Sequence, residues 1–537
     1  MRLRPRTAPR APLALAAALL LAGCEVDVDG APCAAVGEVS DCPDAQACGN
    51  DLRCSARALA CASSRCTPGE SMCRDGATAV RCTARDAVCG RWEDDDCAGR
   101  TMVCGVGRSQ ACECPEYAGT TIVADPRVAS RRGAPPFPTG QPEPPECRFG
   151  RLWDALAAAS SLAPTAATVE IRGAAGAPVV FGAGTGEGWP LAVAANVVLL
   201  GAAAPAGPTT IRGAPGAARL VEVQGALEGV RVEGGGASGE GVALSCGASG
   251  TPSLDAVAVD GGAWLDPDGL FTAGLAAGVT VGGSCGARLA GVQVSAVAGP
   301  ALTLALDPAS AATADVLGGC FGESEVGIWI RGGKVSVRPD GATGTVVSAN
   351  AEEGIVVGGI QPRLPPTGNA TVDATLQGVT VLANGGTGLS IQSVLGTSRV
   401  RTTACDVAEN GAARAAIYGP SGGKRTAGGV FVALGPIAAF GFAGNRVWAN
   451  AGDQLAFLSD TGWSVAPAAC GADSSVFACV AGGSSGVALL GAGTVQAARN
   501  VWPALPPHDW VTATVANADD FCAAGPGVPA KPACPAP

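Results

Sequence analysis

Leu376-Gln377-Gly378-Val379-Thr380-Val381 is followed closely by Gly388-Leu389-Ser390-Ile391. In both, apolar residues alternate with polar or small ones, the period-two signature of a β-strand with one buried face. The first phrase recurs as Leu227-Glu228-Gly229-Val230-Arg231-Val232, Leu254-Asp255-Ala256-Val257-Ala258-Val259 and Leu289-Ala290-Gly291-Val292-Gln293-Val294. The second recurs from Gly241, Gly278, Gly327 and Gly354. Val230 and Val257 are 27 residues apart, as are Gly327 and Gly354. Val257 to Val292 is 35, lengthened by the insertion Trp264-Leu265-Asp266-Pro267-Asp268-Gly269. Asn384-Gly385 and Asn410-Gly411 lie 26 apart, each where a turn would place Asn or Gly in the left-handed region. A β-phrase that returns across turn-rich gaps predicts stacked coils, not a closed globule.

Working outward, strands are expected at Thr168–Ile171, Val179–Phe181, Leu191–Leu200 and Thr210-Ile211, punctuated by Gly, Pro and Ala. A chain of 537 residues with only 4% aromatic side chains cannot fill one wide core, but it can fill a thin one with Val, Leu, Ile and Ala. Coils of this length, with two or three short strands each, resemble the right-handed parallel β-helix of pectate lyases and their relatives. The segment from Cys147 through Trp189-Pro190-Leu191 to Gly201 is also similar to the start of bacterial pectin-lyase-like proteins. The expected fold is therefore all-β: a right-handed parallel β-helix solenoid over residues 168–500, with a tail or cap at 501–537. A solenoid needs its open end covered. Leu152, Leu156 and Ala159, on one face of a helical stretch with Trp153 beside them, make 150–167 the expected N-terminal capping helix.

Upstream the composition changes. Residues 133–149 form a proline-rich linker, and 24–132 hold thirteen cysteines between Cys33 and Cys114. No C-x-x-C or histidine accompanies them, so a disulfide-rich module is expected in place of zinc. Thirteen is odd, and Cys147 would complete the pairing. Cys66-Thr67-Pro68-Gly69 to Cys73 and Gly76 to Cys82 resemble the small cysteine-rich repeats of bacterial surface lipoproteins. Glu93-Asp94-Asp95-Asp96 reads as a solvated acidic run, with a Ca²⁺ loop as the alternative. Downstream, Cys246 and Cys285 fall at matching places in successive strands. Cys470 with Cys479, and Cys522 with Cys534, are local disulfide candidates, and Cys320 and Cys405 are read as core thiols.

Residues 1–23 carry four arginines, then the apolar run Ala11 to Leu21, the pattern of an export signal too short to span a membrane. Leu21-Ala22-Gly23-Cys24 resembles a bacterial lipobox, which implies lipid attachment at Cys24. The expected location is the bacterial cell envelope, anchored by lipid to the outer membrane on its periplasmic or external side. Removing those four arginines, with no acidic residue among them, takes the net charge from −11 to −15. Three lysines in the whole chain leave no footprint for nucleic acid.

Chemistry is thinly written. The one histidine, His508, stands in Pro506-Pro507-His508-Asp509, outside the coils and outside any G-H-G setting. A lyase needs acidic ligands for Ca²⁺ and an Arg or Lys base, for which Asp266, Asp268, Arg331 and Lys334 are the available set. No nucleophile elbow, phosphate loop or H-E-x-x-H occurs. The expectation is a structural or surface-binding protein for a glycan or protein partner, needing no cofactor and no metal. A Ca²⁺-dependent polysaccharide lyase is the alternative. Trp264, Trp448 and Trp463 are candidate glycan contacts.

Overall fold

The computed structural model divides the chain into two units, residues 1–115 and 116–537. It describes residues 46–48, 54–56, 71–74, 78–84, 90–96, 103–104, 112–113, 120–128, 148–203, 206–246, 251–265, 271–358, 371–393, 398–412, 416–418, 425–434, 439–458, 462–480, 484–490, 494–502, 515–517 and 520–523. Cys24, Cys147, Asp266, Asp268, His508 and Cys534 lie outside the described residues.

In the first unit, Ser71–Cys73, Thr78–Ala84 and Gly90–Asp96 form an antiparallel sheet. Val80, Cys82 and Trp92 make its small core, with Met72 packed against them. Cys73 and Cys82 are both disulfide-bonded. The acidic run is strand, not loop: Glu93 stands opposite Arg81, and Asp94 pairs with Arg74 at 2.6 Å.

The second unit is all-β around one large parallel sheet, which the short strand Ala416–Tyr418 joins antiparallel. Its strands fall into three ladders in which each strand pairs with the equivalent ones before and after it, an arrangement compatible with a β-helix. The first ladder includes Ala167–Ile171, Val197–Leu200, Ala226–Glu228, Ser253–Asp255, Val372–Gln377, Arg399–Thr403 and Ala439–Ala443. The second includes Val179–Phe181, Thr209–Arg212, Val230–Glu233, Ala258–Asp260, Thr345–Ser348, Val379–Leu382, Asp406–Ala408, Arg446–Trp448 and Val476–Ala478. The third includes Leu191–Val193, Arg219–Val223, Glu240–Leu244, Ala277–Gly283, Pro300–Leu306, Ile355–Gly358, Leu389–Ser393, Asp453–Leu458 and Val487–Leu490. Ala287–Ser295, Thr313–Gly322 and Val326–Arg338 each run through a corner and serve two ladders.

The repeated phrase is a corner, not a single strand. Gly378 has φ 59° and separates Val372–Gln377 in the first ladder from Val379–Leu382 in the second. Gly229, Ala256 and Gly291 occupy the same place in the copies, with φ 63°, 50° and 59°. Register then puts equivalent residues on top of one another: Leu227 on Leu254, Leu254 on Leu289, Leu289 on Val316, Val316 on Val337, and Val337 on Leu376. All six side chains are buried. The glycines opening the second phrase permit close backbone approach. A Cβ on Gly354 would lie 2.6 Å from the Gly388 carbonyl oxygen.

At the next corner the left-handed residue is Ala349, Ala383, Glu409 or Ala449, and the asparagine follows it. Asn350, Asn384, Asn410 and Asn450 point inward and are buried. Each Nδ2 donates to the Oδ1 of the next asparagine, at 2.8, 2.8 and 2.9 Å, and Asn450 closes the row on Gln454 Oε1 at 2.8 Å. The Oδ1 atoms of Asn384, Asn410 and Asn450 also accept the preceding asparagine's backbone N–H, Asn350 Oδ1 accepts that of Ser324, and each Nδ2 also donates to a buried carbonyl, that of Phe321, Val347, Val381 or Val407. The expectation of a left-handed Asn or Gly in each pair is met by Gly411, at φ 86°, and corrected at Asn384-Gly385, where the left-handed residue is Ala383. The asparagines are a polar column inside the core.

A helix spans Leu152–Ser160 and buries Leu152, Ala155, Leu156 and Ala159, while Trp153 is 40% exposed. It packs on strands of the first and third ladders. Its N-terminus has no local side-chain cap. Instead the Glu187 carboxylate accepts the backbone N–H groups of Leu152 (3.0 Å) and Trp153 (2.8 Å). Thr121–Ala124, upstream of the expected linker, pairs in parallel with Ala167–Ile171 and extends the first ladder.

Candidate functional site

The site is built from three consecutive strands of the first ladder. The 13-residue strand Val326–Arg338 turns its corner at Gly332-Gly333, and Gly333, at φ 75°, lies so close to Leu306 that a Cβ would meet its Cβ at 2.5 Å. Beyond the corner, alternation buries Val335 and Val337 and turns Lys334, Ser336 and Arg338 outward. Val372, Ala374 and Leu376 are buried in the next strand, leaving Asp373, Thr375 and Gln377 outside. Val400 and Thr402 are buried in the third, leaving Arg399, Arg401 and Thr403 outside. Register stacks Lys334 on Asp373 on Arg399, and Ser336 on Thr375 on Arg401. The following strand contributes Ala439 and Gly441, and the Arg401 stem lies over Gly441. Pro308, Lys334, Thr371, Asp373, Ser398 and Arg399 are among the residues lining a cavity of about 300 Å³ here.

Charge pairing sets this surface apart. Elsewhere in the second unit the described arginine side chains meet carboxylates: Arg212 and Glu233, Arg231 and Asp260, Arg219 and Glu240, Arg446 and Asp406. Arg331 lies over the Trp329 ring at 4.7 Å. Lys334, Arg338, Arg399 and Arg401 are exposed, with no ion pair among the described residues. Four cations beside two carboxylates likewise unpaired among the described residues, Asp315 and Asp373 on the adjoining strands, make an anion-attracting surface in an acidic chain.

Of the lyase set read from the sequence, Asp266 and Asp268 lie outside the described residues. Arg331 is held by Trp329, and Lys334 stands in register with Asp373, which stands in register with Arg399, a column that needed the register to be seen. Among the described residues no three His, Cys, Asp or Glu side chains converge as a metal site. Of the tryptophans, Trp264 is 57% exposed on the hairpin Trp264–Leu265 and Phe271–Thr272. The Trp448 indole N–H donates to Asp406 at 2.7 Å, and Trp463 stacks with Phe457 at 6.5 Å between centroids.

Cys246 and Cys285 are bridged. Cys470 pairs with Cys522, 52 residues away, and not with neighbouring Cys479. The backbone explains this: Cys522 N–H donates to Asn500, Ser475 N–H to the Asn500 side chain, and the Ser474 hydroxyl touches Cys522 Sγ. Cys479 is also disulfide-bonded, so the local pairs expected for Cys470, Cys479 and Cys522 are replaced by longer-range ones. Cys320 is exposed, against the expectation of a core thiol. Cys405 is buried, and burial pushes its thiol up to about 11. No family model, curated protein or solved structure matches the chain.

Proposed function

We propose that the second unit is a right-handed parallel β-helix, capped at its N-terminal end by the helix Leu152–Ser160. It serves as a structural, surface-binding element of a bacterial lipoprotein anchored through Cys24 in the cell envelope, at the outer membrane. Its partner is a surface glycan or protein bearing negative charge, and nucleic acid is not a partner. The observation that supports this most is the uncompensated group Lys334, Arg338, Arg399 and Arg401 on one flat ladder face. Long, regular sheet faces position such groups rigidly, and cations left without partners there are free to meet an anionic ligand. The test is retention of the mature protein on immobilised acidic glycans. Binding lost in Lys334→Ala/Arg399→Ala and kept in Arg231→Ala supports the reading, while indifference to both sinks it. Anchoring has its own check: Cys24→Ser is expected to move the protein from the membrane to the soluble fraction.

A lyase is the second reading, favoured by Lys334, Asp373 and Arg399 around one cavity. β-Elimination from a uronate needs a cation against the sugar carboxylate and a base for the C5 proton, roles for Lys334 and Arg399, with Asp373 as a ligand for Ca²⁺. Release of unsaturated uronates, followed by absorbance with and without Ca²⁺ and abolished by Arg399→Ala, would establish it.

A further inference from the structure

Past the adjoining acidic residues Glu228 and Asp255, the outward charges of the first ladder alternate in sign from strand to strand. Asp255 is followed by Arg288, Asp315, the pair Lys334 and Arg338, Asp373, and the pair Arg399 and Arg401. At the start of this series the alternation has a structural use, since Arg288 pairs with Asp255 at 3.6 Å. Further along that use ends. Lys334, Arg338, Arg399 and Arg401 pair with nothing among the described residues, and the strand between them offers Asp373, Thr375 and Gln377.

We infer that this face binds an acidic polysaccharide carrying one anionic group per disaccharide, laid across the strands. Adjacent strands in a sheet are about 4.8 Å apart, so like-charged strands recur about every 10 Å, close to one disaccharide of an extended β-linked chain. The cationic strands would meet the acidic sugars, and Arg guanidinium groups suit carboxylate or sulfate oxygens two at a time. The intervening strand is matched to a neutral sugar. Asp373 accepts hydroxyl protons and Thr375 and Gln377 both donate and accept, while Asp373 would repel an anion placed over it. The small residues Ala439 and Gly441 on the next strand leave room for the chain to continue. This rests on the glycan-binding reading above and narrows it to a charge pattern.

The experiment is calorimetric titration of the mature chain with three size-matched oligosaccharides. They are hyaluronan (alternating uronate and N-acetylhexosamine), polygalacturonate (a uronate at every sugar) and neutral cello-oligosaccharide. The expected result is hyaluronan at least tenfold tighter than the other two, with affinity falling as salt rises. Arg399→Ala/Arg401→Ala should lose tenfold or more, Asp373→Asn should narrow the preference over polygalacturonate, and Arg231→Ala on the second ladder should change nothing. Unchanged circular dichroism and urea midpoints in these variants separate loss of binding from loss of fold. Polygalacturonate binding as tightly as hyaluronan would overturn the alternation while leaving glycan binding intact. Hyaluronan binding that ignores Arg399 and Arg401 would overturn the site. Silence from all three, together with a blank array of acidic glycans, would take down the glycan-binding reading itself.

Discussion

Asn384 occupies the middle of a row that cannot lose a member cheaply. Its Oδ1 accepts the Asn350 backbone and side-chain N–H groups, and its Nδ2 donates to Asn410 and to the Val347 carbonyl. Truncation strands several buried polar atoms, each costing about 1–3 kcal/mol. Asn384→Ala is therefore expected to destabilise the second unit by about 3 kcal/mol or more in urea unfolding, against less than about 0.5 kcal/mol for exposed Gln377→Ala. Two carboxylates make opposite demands on pH. Burial pushes Asp125 up, but hydrogen bonds from Arg127, its charge and Arg148 outweigh that and hold the carboxyl below its ordinary value. A depressed folded pKa contributes stability above the unfolded value, near 3.9, and loses it as pH falls through the lower folded value. Burial lifts Glu187 above its ordinary value despite the N–H groups of Trp153 and Leu152, Thr185 and the Arg151 charge. Its contribution is full below the unfolded value, near 4.3, and is lost as pH rises through the folded one. Asp125→Asn should thus flatten the fall in stability below about pH 4, and Glu187→Gln the fall above about pH 4, both read from urea midpoints.

At the scale of the element, Val379 and Thr380 test the register. Val379 is 1% exposed, and Thr380 points away from the core. Val379→Asp buries an unpaired carboxylate and should cost several kcal/mol, whereas Thr380→Asp should stay within about 1 kcal/mol. Equal losses would mean the strand faces are assigned the wrong way round. Period-two alternation made both strands legible in the sequence, and the returning Leu-x-Gly-Val, with Ala256 in place of glycine in one copy, marked the repeats. What it hid was the corner at Gly378, because one left-handed residue does not interrupt the apolar alternation around it. The asparagine row was hidden for another reason. Asn-Gly has a local meaning as a turn, while the contacts of Asn384 reach 26 and 34 residues along the chain and exist only once the strands stack. Lys334 could be named from sequence as a possible base. Its neighbours Asp373 and Arg399 could not, because adjacency across a ladder depends on insertion lengths that no residue pattern reports.

For the molecule as a whole, the two units are stabilised differently, and reduction should tell them apart. The described core of the first unit is Val80, Cys82 and Trp92 with Met72, and two of its strands carry disulfide-bonded Cys73 and Cys82. With so little apolar area buried among its described residues, this module is expected to depend on its crosslinks, and losing a native disulfide from a small domain typically costs about 2–5 kcal/mol. The second unit buries columns of Val, Leu and Ile along all three ladders, at about 1.5–3 kcal/mol for each side chain before entropy is subtracted. The Cys246–Cys285 bridge spans 39 residues and contributes at most about 4 kcal/mol by the loop-entropy relation. Mild dithiothreitol treatment is accordingly expected to abolish amide protection in the strands Ser71–Cys73, Thr78–Ala84 and Gly90–Asp96. Ile355–Val357 and Leu389–Ile391 should stay protected for hours in hydrogen-exchange mass spectrometry. If those third-ladder amides exchanged together with the first-unit strands on reduction, the ladders would depend on the disulfides, and the buried apolar columns would be insufficient to hold the second unit by themselves.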